Sequence, residues 1–504
     1  MTNQQNQTNL VPRPPIVVVM GHIDHGKSTL LDYIRKANIV ATEAGGITQH
    51  TAAYEATHTD VNGKISHITF IDTPGHAAFV ELRSRGAQVA DVAILVVSAE
   101  DGVKPQTLDA LKSILDAKIP YILAINKIDK PNANIERTKQ TLSENEIYIE
   151  EWGGKIPAVP ISAKFGQGVE DLLEMVLLTA ELEELKGDSS LHASGVILET
   201  HLHKTKGLSA TLIIKNGTLK TGSYIVSEHA YAPVRVIEDF KGVKIESATF
   251  SSPVCITGWT KLPTIGAEFM TYNTKKEAEA FIEEFKLNQK AKAPLANCTS
   301  DANKAYVPII IKADVAGTLD AIIHEINKLE NERVAANIIY TGVGDITESD
   351  IRAASGKGNV VIVGFNVKID TQATVLRERE NIETKVFGII YELGDYLKEL
   401  FEARTPRVSC EEMKGQLKVM KYFSAMKDKQ VIGGKVIKGS IHVKDVVKIM
   451  RQDEEIDRGV ITELQHSKQK VSEVEEGKEC GLCVESKTEI APGDILESFT
   501  VVER

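Results

Sequence analysis

Apolar residues along this chain gather in short runs. Pro15-Ile16-Val17-Val18-Val19-Met20, His67-Ile68-Thr69-Phe70-Ile71 and Tyr121-Ile122-Leu123-Ala124-Ile125 are too short for helices and read as buried strands. Between them Thr29 to Arg35 has helical periodicity without a breaker, and Val169 to Leu177 reads as a closing helix. Strands alternating with helices predict an open α/β domain over residues 14–187. The polar, Gln/Asn-rich residues 1–13 read as a disordered tail, and Lys186-Gly187-Asp188-Ser189-Ser190 as a linker.

From about 191 to 273 the pattern changes to short β-rich runs broken by Gly, Asn and Pro, which predicts a small β-barrel; a charged helix, Lys275 to Lys290, completes a domain over 191–290. The polar stretch from Ala291 to Lys304 reads as a second linker. Strand and helix alternation returns over 305–388, with Val307-Pro308-Ile309-Ile310-Ile311, Thr318 to Leu329 and Asn359-Val360-Val361-Ile362-Val363, and predicts an α/β/α module. A connecting helix from about Tyr391 to Ala403, within 389–404, leads to a C-terminal β-barrel over 405–504. The fold class is therefore α/β multidomain.

Composition narrows this little. At 504 residues, with 42% hydrophobic and 26% charged residues, the chain reads as an ordinary soluble protein of several domains. No apolar run approaches the roughly 18 residues of a transmembrane helix, the N-terminus lacks the regions of a signal peptide, and five scattered Cys fit a reducing cytoplasm. Cys480-Gly-Leu-Cys483 has no second pair at ligand spacing, and thiols three apart on a strand face opposite ways. A net charge of −11 argues against nonspecific coating of RNA but permits a local basic face. From Lys414 to Arg451 ten Lys or Arg stand against Asp428 and Asp445, a surplus of eight, with Tyr422 and Phe423 inside the stretch. Such a face could neutralise RNA phosphates, or could simply be a solvated sheet surface.

Four motifs carry the chemistry. Gly21-His22-Ile23-Asp24-His25-Gly26-Lys27-Ser28 lies between the first strand and the helix that begins near Thr29. Gly21 and Gly26 let the backbone wrap a phosphate chain with its N–H groups inward, and the helix adds its positive end. Lys27 would bridge the terminal phosphates, Ser28 would hold Mg²⁺, and His22 and His25 would pack the loop. Asp72-Thr73-Pro74-Gly75 follows the second strand; Asp72 can reach Mg²⁺ through water, and Gly75 can turn its N–H to a γ-phosphate. Asn126-Lys127-Ile128-Asp129 follows the third strand. There Asp129 can accept from guanine N1–H and the 2-amino group, donors that adenine lacks. Asn126 would brace the loop, Lys127 would cover the base, and Ser162-Ala163-Lys164 would complete the base site through the Ala163 N–H. Alone, Asn-Lys-x-Asp is a common solvated turn; after a phosphate loop it reads as a guanine clamp. His76, next to Gly75, is the candidate catalytic residue that orients water on GTP. Ala44-Gly45-Gly46-Ile47-Thr48 offers Thr48 as a further Mg²⁺ ligand, though the string also fits a plain turn.

Gly-His-Ile-Asp-His-Gly-Lys, Glu43-Ala44-Gly45-Gly46-Ile47-Thr48-Gln49-His50 and Asp72-Thr73-Pro74-Gly75-His76-Ala77-Ala78-Phe79 together resemble bacterial translation initiation factor two, a family of translational GTPases. The resemblance runs from about residue 14 to 504 and marks a short form without the family's long N-terminal extension. It implies a monomeric, cytoplasmic GTPase with GTP/GDP and Mg²⁺. In its GTP form such a factor places formyl-methionyl initiator tRNA on the small ribosomal subunit, promotes joining of the large one, and hydrolyses GTP on the ribosome in contact with ribosomal RNA. By the same resemblance Ile23 and Ile47 form an apolar gate beside His76. Asp24 would contact phosphate or a monovalent ion, and Glu479, Cys480 and Gly481 would border the tRNA-bound amino acid. The family commonly has a basic and aromatic cluster near Gln465-His466-Ser467 and a Cys where Gly434 stands, so weaker tRNA binding is expected here. An elongation-type factor is disfavoured by Gly46 to His50 and by the α/β third module. A module that uses nucleotide only as a structural latch is disfavoured by the intact Lys27, Thr48 and His76.

Overall fold

The computed structural model describes residues 10–36, 51–59, 63–203, 205–290, 304–331, 333–356, 358–405, 409–426, 429–452, 454–467 and 469–503. The predicted Thr48 ligand, Ile47, the tail before Leu10, and residues 291–303 of the second linker lie outside them. Two compact units divide the chain, Met1–Arg404 and Thr405–Arg504.

The first unit opens with β1 (Leu10–Pro12), β2 (Ile16–Gly21), α1 (Lys27–Arg35), β3 (Ala52–Thr59), β4 (Ile65–Asp72), α2 (Val80–Val89) and β5 (Val92–Ser98). It continues with α3 (Pro105–Ala117), β6 (Tyr121–Asn126), α4 (Ile135–Glu144), β7 (Ala158–Pro160), α5 (Val169–Leu182) and β8 (Lys186–Asp188). Six strands form a sheet in the order β3-β4-β2-β5-β6-β7, parallel except for the β3–β4 hairpin. Ile16 to Met20 and Val92 to Val97 are completely buried, with one apolar cluster on each face of the sheet. Each such side chain contributes on the order of 1.5–3 kcal/mol by leaving water. Because the strands are parallel, the loops after β2, β4 and β6 emerge at one edge.

The tail and linker expectations need correction at their inner ends. Leu10–Pro12 is not disordered: it pairs antiparallel with Lys186–Asp188, which the sequence reading made a linker. Prolines 12, 14 and 15 favour extended backbone on their neighbours. Arg13 then locks the segment, donating to both Asp91 carboxylate oxygens at 2.7 and 2.6 Å with its side chain only 10% exposed.

Residues 194–272 fold around a single apolar core as an eight-stranded antiparallel sheet with a two-stranded ribbon, beginning with β9 (Ser194–His203) and β10 (Gly207–Asn216). Helix α6 (Lys275–Lys290) follows. The third module comprises β11 (Ala305–Ala313), α7 (Ala316–Leu329), β12 (Val334–Val343), α8 (Glu348–Ala354), β13 (Val361–Phe365), α9 (Thr371–Glu380) and β14 (Glu383–Phe387), a parallel sheet in the order β12-β11-β13-β14. Helix α10 (Ile390–Arg404) closes the unit, its Ile390, Leu393, Leu397, Leu400 and Phe401 buried. Ala78, Phe79 and Leu82 belong to the same core as the strands of this module, and Arg85 of α2 pairs with Asp320 of α7 at 2.7 Å.

In the second unit β15 (Ser409–Met426), β16 (Lys429–His442), β17 (Val446–Arg451), β18 (Glu454–His466), β19 (Glu479–Glu485) and β20 (Ile495–Glu503) pair in the circular order β15-β20-β17-β18-β19-β16 and back to β15, a closed six-stranded barrel. Among the described residues no helix is long and apolar enough to cross a membrane.

Replacing Arg13 by Ala leaves the largely buried Asp91 carboxylate, among the described residues, with the Ile16 N–H as its remaining hydrogen-bond donor. It should lower stability by about 3 kcal/mol or more. Thermal unfolding of the full chain would read this as an earlier first transition; an unchanged transition would mean the pair contributes nothing.

Candidate functional site

The loops at the carboxyl edge of the six-stranded sheet enclose a cleft of about 310 Å³. Ile23, Asp24, Gly26, Lys27, Ser28 and Thr29 line one side, Gly75 and His76 a second, and Asn126, Lys127, Asp129, Ala163 and Lys164 a third. Lys130, which the sequence reading passed over, also lines it.

Gly26 stands in left-handed backbone (φ 89°) just before α1, where a Cβ would lie 2.3 Å from Asn126 Nδ2. That approach lets the Asn126 amide donate to the His25 carbonyl at 2.8 Å while its Oδ1 accepts from the Ala163 N–H at 3.0 Å. Asn126 thus joins the phosphate loop to the Ser162-Ala163-Lys164 loop, and the Ala163 N–H assigned to guanine is engaged by Asn126 in this state. Ser162 donates to Asp129 Oδ1 at 2.7 Å, and this bond holds the Asp129 carboxyl below its ordinary range. Lys127 adopts left-handed backbone (φ 66°), and its ammonium lies 3.9 Å from Asp101.

Lys27 is buried and donates to the Gly21 and His22 carbonyls at 2.9 and 2.8 Å. Burial lowers its pKa to about 8, against the opposing pull of Asp72. Gly75 packs on it so closely that a Cβ would meet Nζ at 2.6 Å. A buried ammonium resting on carbonyl dipoles beside N–H groups at a helix start is a donor set suited to phosphate. His25 is fully buried, its Nδ1 3.3 Å from the Ser98 N–H, and burial pushes its pKa down to about 3. His22 meets it edge on at 4.9 Å. Both histidines pack the loop.

The segment after β4 is pinned at several points. Thr73 donates to the Val19 carbonyl at 2.9 Å, and Arg83 Nη1 donates to the Pro74 and His76 carbonyls at 3.2 and 2.5 Å. Arg83 is 1% exposed, with Nε and Nη2 lacking any partner among the described residues. His76 Nδ1 accepts from the Ala78 N–H at 3.0 Å, which leaves the ring proton on Nε2; burial holds its pKa below the usual histidine range. Sequence reasoning missed Arg83 and also Gln106, whose Oε1 accepts from the Ile23 N–H at 3.1 Å. An arginine within a helix directly after Asp-Thr-Pro-Gly-His was the available signal for the first. Nothing in the sequence flagged the second.

In the C-terminal barrel, Glu479, Cys480 and Gly481 line a hollow of about 590 Å³ together with Met420, Lys421, Phe423, Gly434, Gln465 and Ser467. Cys480 is buried, its thiol pushed up to about 11 by that burial, whereas Cys483 on the same strand is half-buried. Among the described residues no cluster of His, Cys, Asp or Glu could hold a metal ion. A Cβ on Gly434 would meet Leu417 Cδ2 at 2.4 Å and the Lys418 carbonyl at 2.6 Å, so a larger residue requires β15 to move. His466 Nδ1 donates to the Glu479 carbonyl at 2.7 Å. The basic stretch is less free than its composition suggested: Lys448 pairs with Glu411 and Glu455, and Arg451 with Asp494.

Residues 13–181 match the family described as Elongation factor Tu GTP binding domain, and 192–272 match Elongation factor G domain 2, which defines the chain as one of the translational GTPase class. Residues 284–398 match Translation-initiation factor 2. The chain is 42% identical to translation initiation factor IF-2 of Carboxydothermus hydrogenoformans over 98% of its own length and 60% of that protein's. To the Bacillus licheniformis factor of the same name it is 40% identical, covering 99% of this chain and 70% of the relative; to that of Clostridium novyi, 40%, covering 97% and 72%. The chain belongs to the translation initiation factor 2 family. It spans about three fifths of the length of the first of these relatives. It is also similar to GDP-bound aIF5B from Aeropyrum pernix, 25% identical with a TM-score of 0.48 over 97% of this chain and 92% of that one.

The depressed pKa of His25 gives a pH signature. Between 6.5 and about 3 the unfolded chain binds a proton at this position that the folded loop refuses, so stability falls as pH drops through that window. His25→Gln should flatten the fall relative to wild type, measured by denaturant unfolding at several pH values. Parallel profiles would assign the loss to other groups.

Proposed function

We propose that this chain binds GTP and GDP with Mg²⁺, hydrolyses GTP when the ribosome completes the site, and in its GTP form brings formyl-methionyl initiator tRNA to the small subunit and promotes joining of the large one. The observation that carries the nucleotide reading is the convergence of Lys27, Gly75, His76, Asn126 and Asp129 on one cleft. Family membership supports the role in initiation.

The base site selects by unpaired donors. Ser162 fixes one Asp129 oxygen, and the ionised carboxylate accepts from guanine N1–H and the 2-amino group; adenine would leave that charge without donors. At the phosphates, Lys27 exchanges two carbonyl acceptors for charged oxygens, a stronger kind of hydrogen bond. Ser28 and Asp72, with Thr48, would hold Mg²⁺, which when bound neutralises charge building on the phosphate oxygens. His76 is neutral and carries its ring proton on Nε2, so it acts by donating to and orienting water rather than by removing its proton. In the C-terminal barrel the neutral Cys480 thiol and the Gly481 backbone suit an aminoacyl group whose amine charge has been removed by a formyl group. The exposed Lys418, Lys421 and Lys435 nearby meet the tRNA backbone.

Asp129→Asn should weaken GTP binding and favour xanthine nucleotide, whose 2-oxo group accepts where guanine donates. Equal affinity of wild type and variant for GTP in a titration would remove Asp129 from the base site.

The fragment from Thr405 to Arg504, with its own closed barrel and core, should bind formyl-methionyl initiator tRNA more tightly than the unformylated methionyl form. Cys480→Arg should fill the hollow and abolish that preference. A folded fragment that binds both tRNAs equally at low salt would end the tRNA assignment and leave the GTPase reading untouched.

A further inference from the structure

His76 is held from two directions. Its Nδ1 accepts from the Ala78 N–H, and its ring meets the ring of Tyr391, in the first turn of α10, edge to face with centroids 4.5 Å apart and planes at 87°. Phe79 adds a second edge contact at 6.2 Å. The charges felt by the imidazole are Glu325 and Lys328 of α7 and Arg83, whereas Lys27 feels Asp72, Arg83 and Asp24. His76 thus lines the cleft while its ring also lies against Tyr391 of α10 and within reach of the charges of α7. The Tyr391 phenol also feels Asp24 of the phosphate loop.

Tyr391 is not what holds α10 in place. Ile390, Leu393, Leu397, Leu400 and Phe401 bury the helix, while Tyr391 is 47% exposed. A large aromatic left half in solvent, whose ring meets the candidate catalytic ring edge to face, points to a role at that ring. An edge-to-face pair of this geometry lies in the separation range where aromatic rings attract beyond simple area burial.

We propose that Tyr391 is a positioning residue for GTP hydrolysis: its ring holds the His76 imidazole in the orientation this edge-to-face contact fixes, and hydrolysis requires that contact to open. This rests on His76 acting in hydrolysis, as argued above. Arg83 fixes the loop backbone at the His76 carbonyl, so breaking the ring contact frees the side chain while leaving the loop anchored.

The test uses the full chain without ribosomes. Single-turnover GTP hydrolysis should rise about threefold to tenfold in Tyr391→Ala, the bias an aromatic pair can exert on an equilibrium. Tyr391→Phe, which keeps the ring, should stay at the wild-type rate, and affinity for a non-hydrolysable GTP analogue should be the same in all three. The ring-current shift on the His76 imidazole resonances should be lost in the Ala variant and kept in the Phe variant, a signature that a merely structural tyrosine would not produce. His76→Ala and the double variant separate the two claims. A gain in Tyr391→Ala that disappears with His76→Ala supports both; a gain that persists without His76 overturns the catalytic reading of the histidine and, with it, this inference. If His76→Ala alone slows hydrolysis while Tyr391→Ala leaves the rate and the imidazole resonances unchanged, the positioning role falls and His76 stands.

Discussion

The buried side-chain amide of Asn126 is the interaction on which the proposed nucleotide site depends. One planar group at the end of β6 donates to the carbonyl of His25 and accepts from the N–H of Ala163, so it fixes the distance between the phosphate end and the base end of the cleft. Both bonds lie away from water, where losing one partner leaves the other unsatisfied at a cost of about 1–3 kcal/mol. The same geometry dictates Gly26, since any Cβ there would displace the amide. Asp129 and Lys27 can then act on one ligand because a third residue that need not touch it sets their separation.

The segment from Thr73 to Leu82 belongs to two structures at once. Its start is tied to the central strand through Thr73 and Val19, and its end is part of the apolar core of the α/β/α module. Just beyond Leu82, Arg83 is buried with one nitrogen donating to the Pro74 and His76 carbonyls and two nitrogens without a partner among the described residues. Burial of a guanidinium in this way is expensive unless carbonyl dipoles and nearby acids offset it. The segment is thus held at its start by a hydrogen bond to the Val19 backbone, at its end by apolar packing, and along its loop by the Arg83 guanidinium.

The sequence conveyed the α/β class because its signals are local. Runs such as Ile16 to Met20 can only be strands buried on both faces, and Gly21 and Gly26 mark a loop that only glycine can form. The residues of the phosphate loop, the Asp-Thr-Pro-Gly loop and the Asn-Lys-x-Asp loop come together because parallel strands place their following loops at one edge. What escaped the reading depends on distant partners. Leu10–Pro12 is a strand only because Lys186–Asp188 and Asp91 lie beside it. Gln106 reaches Ile23 across the sheet edge, and Tyr391 meets His76 from more than three hundred positions away. The basic stretch misled in the same sense, since composition counted Lys448 and Arg451 without the acids across the barrel that neutralise them.

The chain contains two parallel α/β sheets, and the contrast between them explains why only one is read as a nucleotide site. In the first, the N-terminus of α1 faces an open cleft and a buried lysine. In the third module the corresponding turn after β11 leads into α7, whose Gly317 N–H donates to the carboxylate of Glu199 at 3.2 Å. Glu199 comes from β9 of the neighbouring antiparallel sheet, is buried, and also accepts from the Thr200 N–H at 3.0 Å. A Cβ on Gly317 would meet Leu82 at 2.6 Å and Glu199 Oε2 at 2.8 Å, so the space before this helix start is filled by the protein's own carboxyl group. Burial raises the Glu199 pKa to about 7, which makes its charge depend on those backbone donors. The helix N-terminus that might have bound a ligand serves instead as a joint between α7 and the antiparallel sheet of residues 194–272, made through one buried carboxyl group.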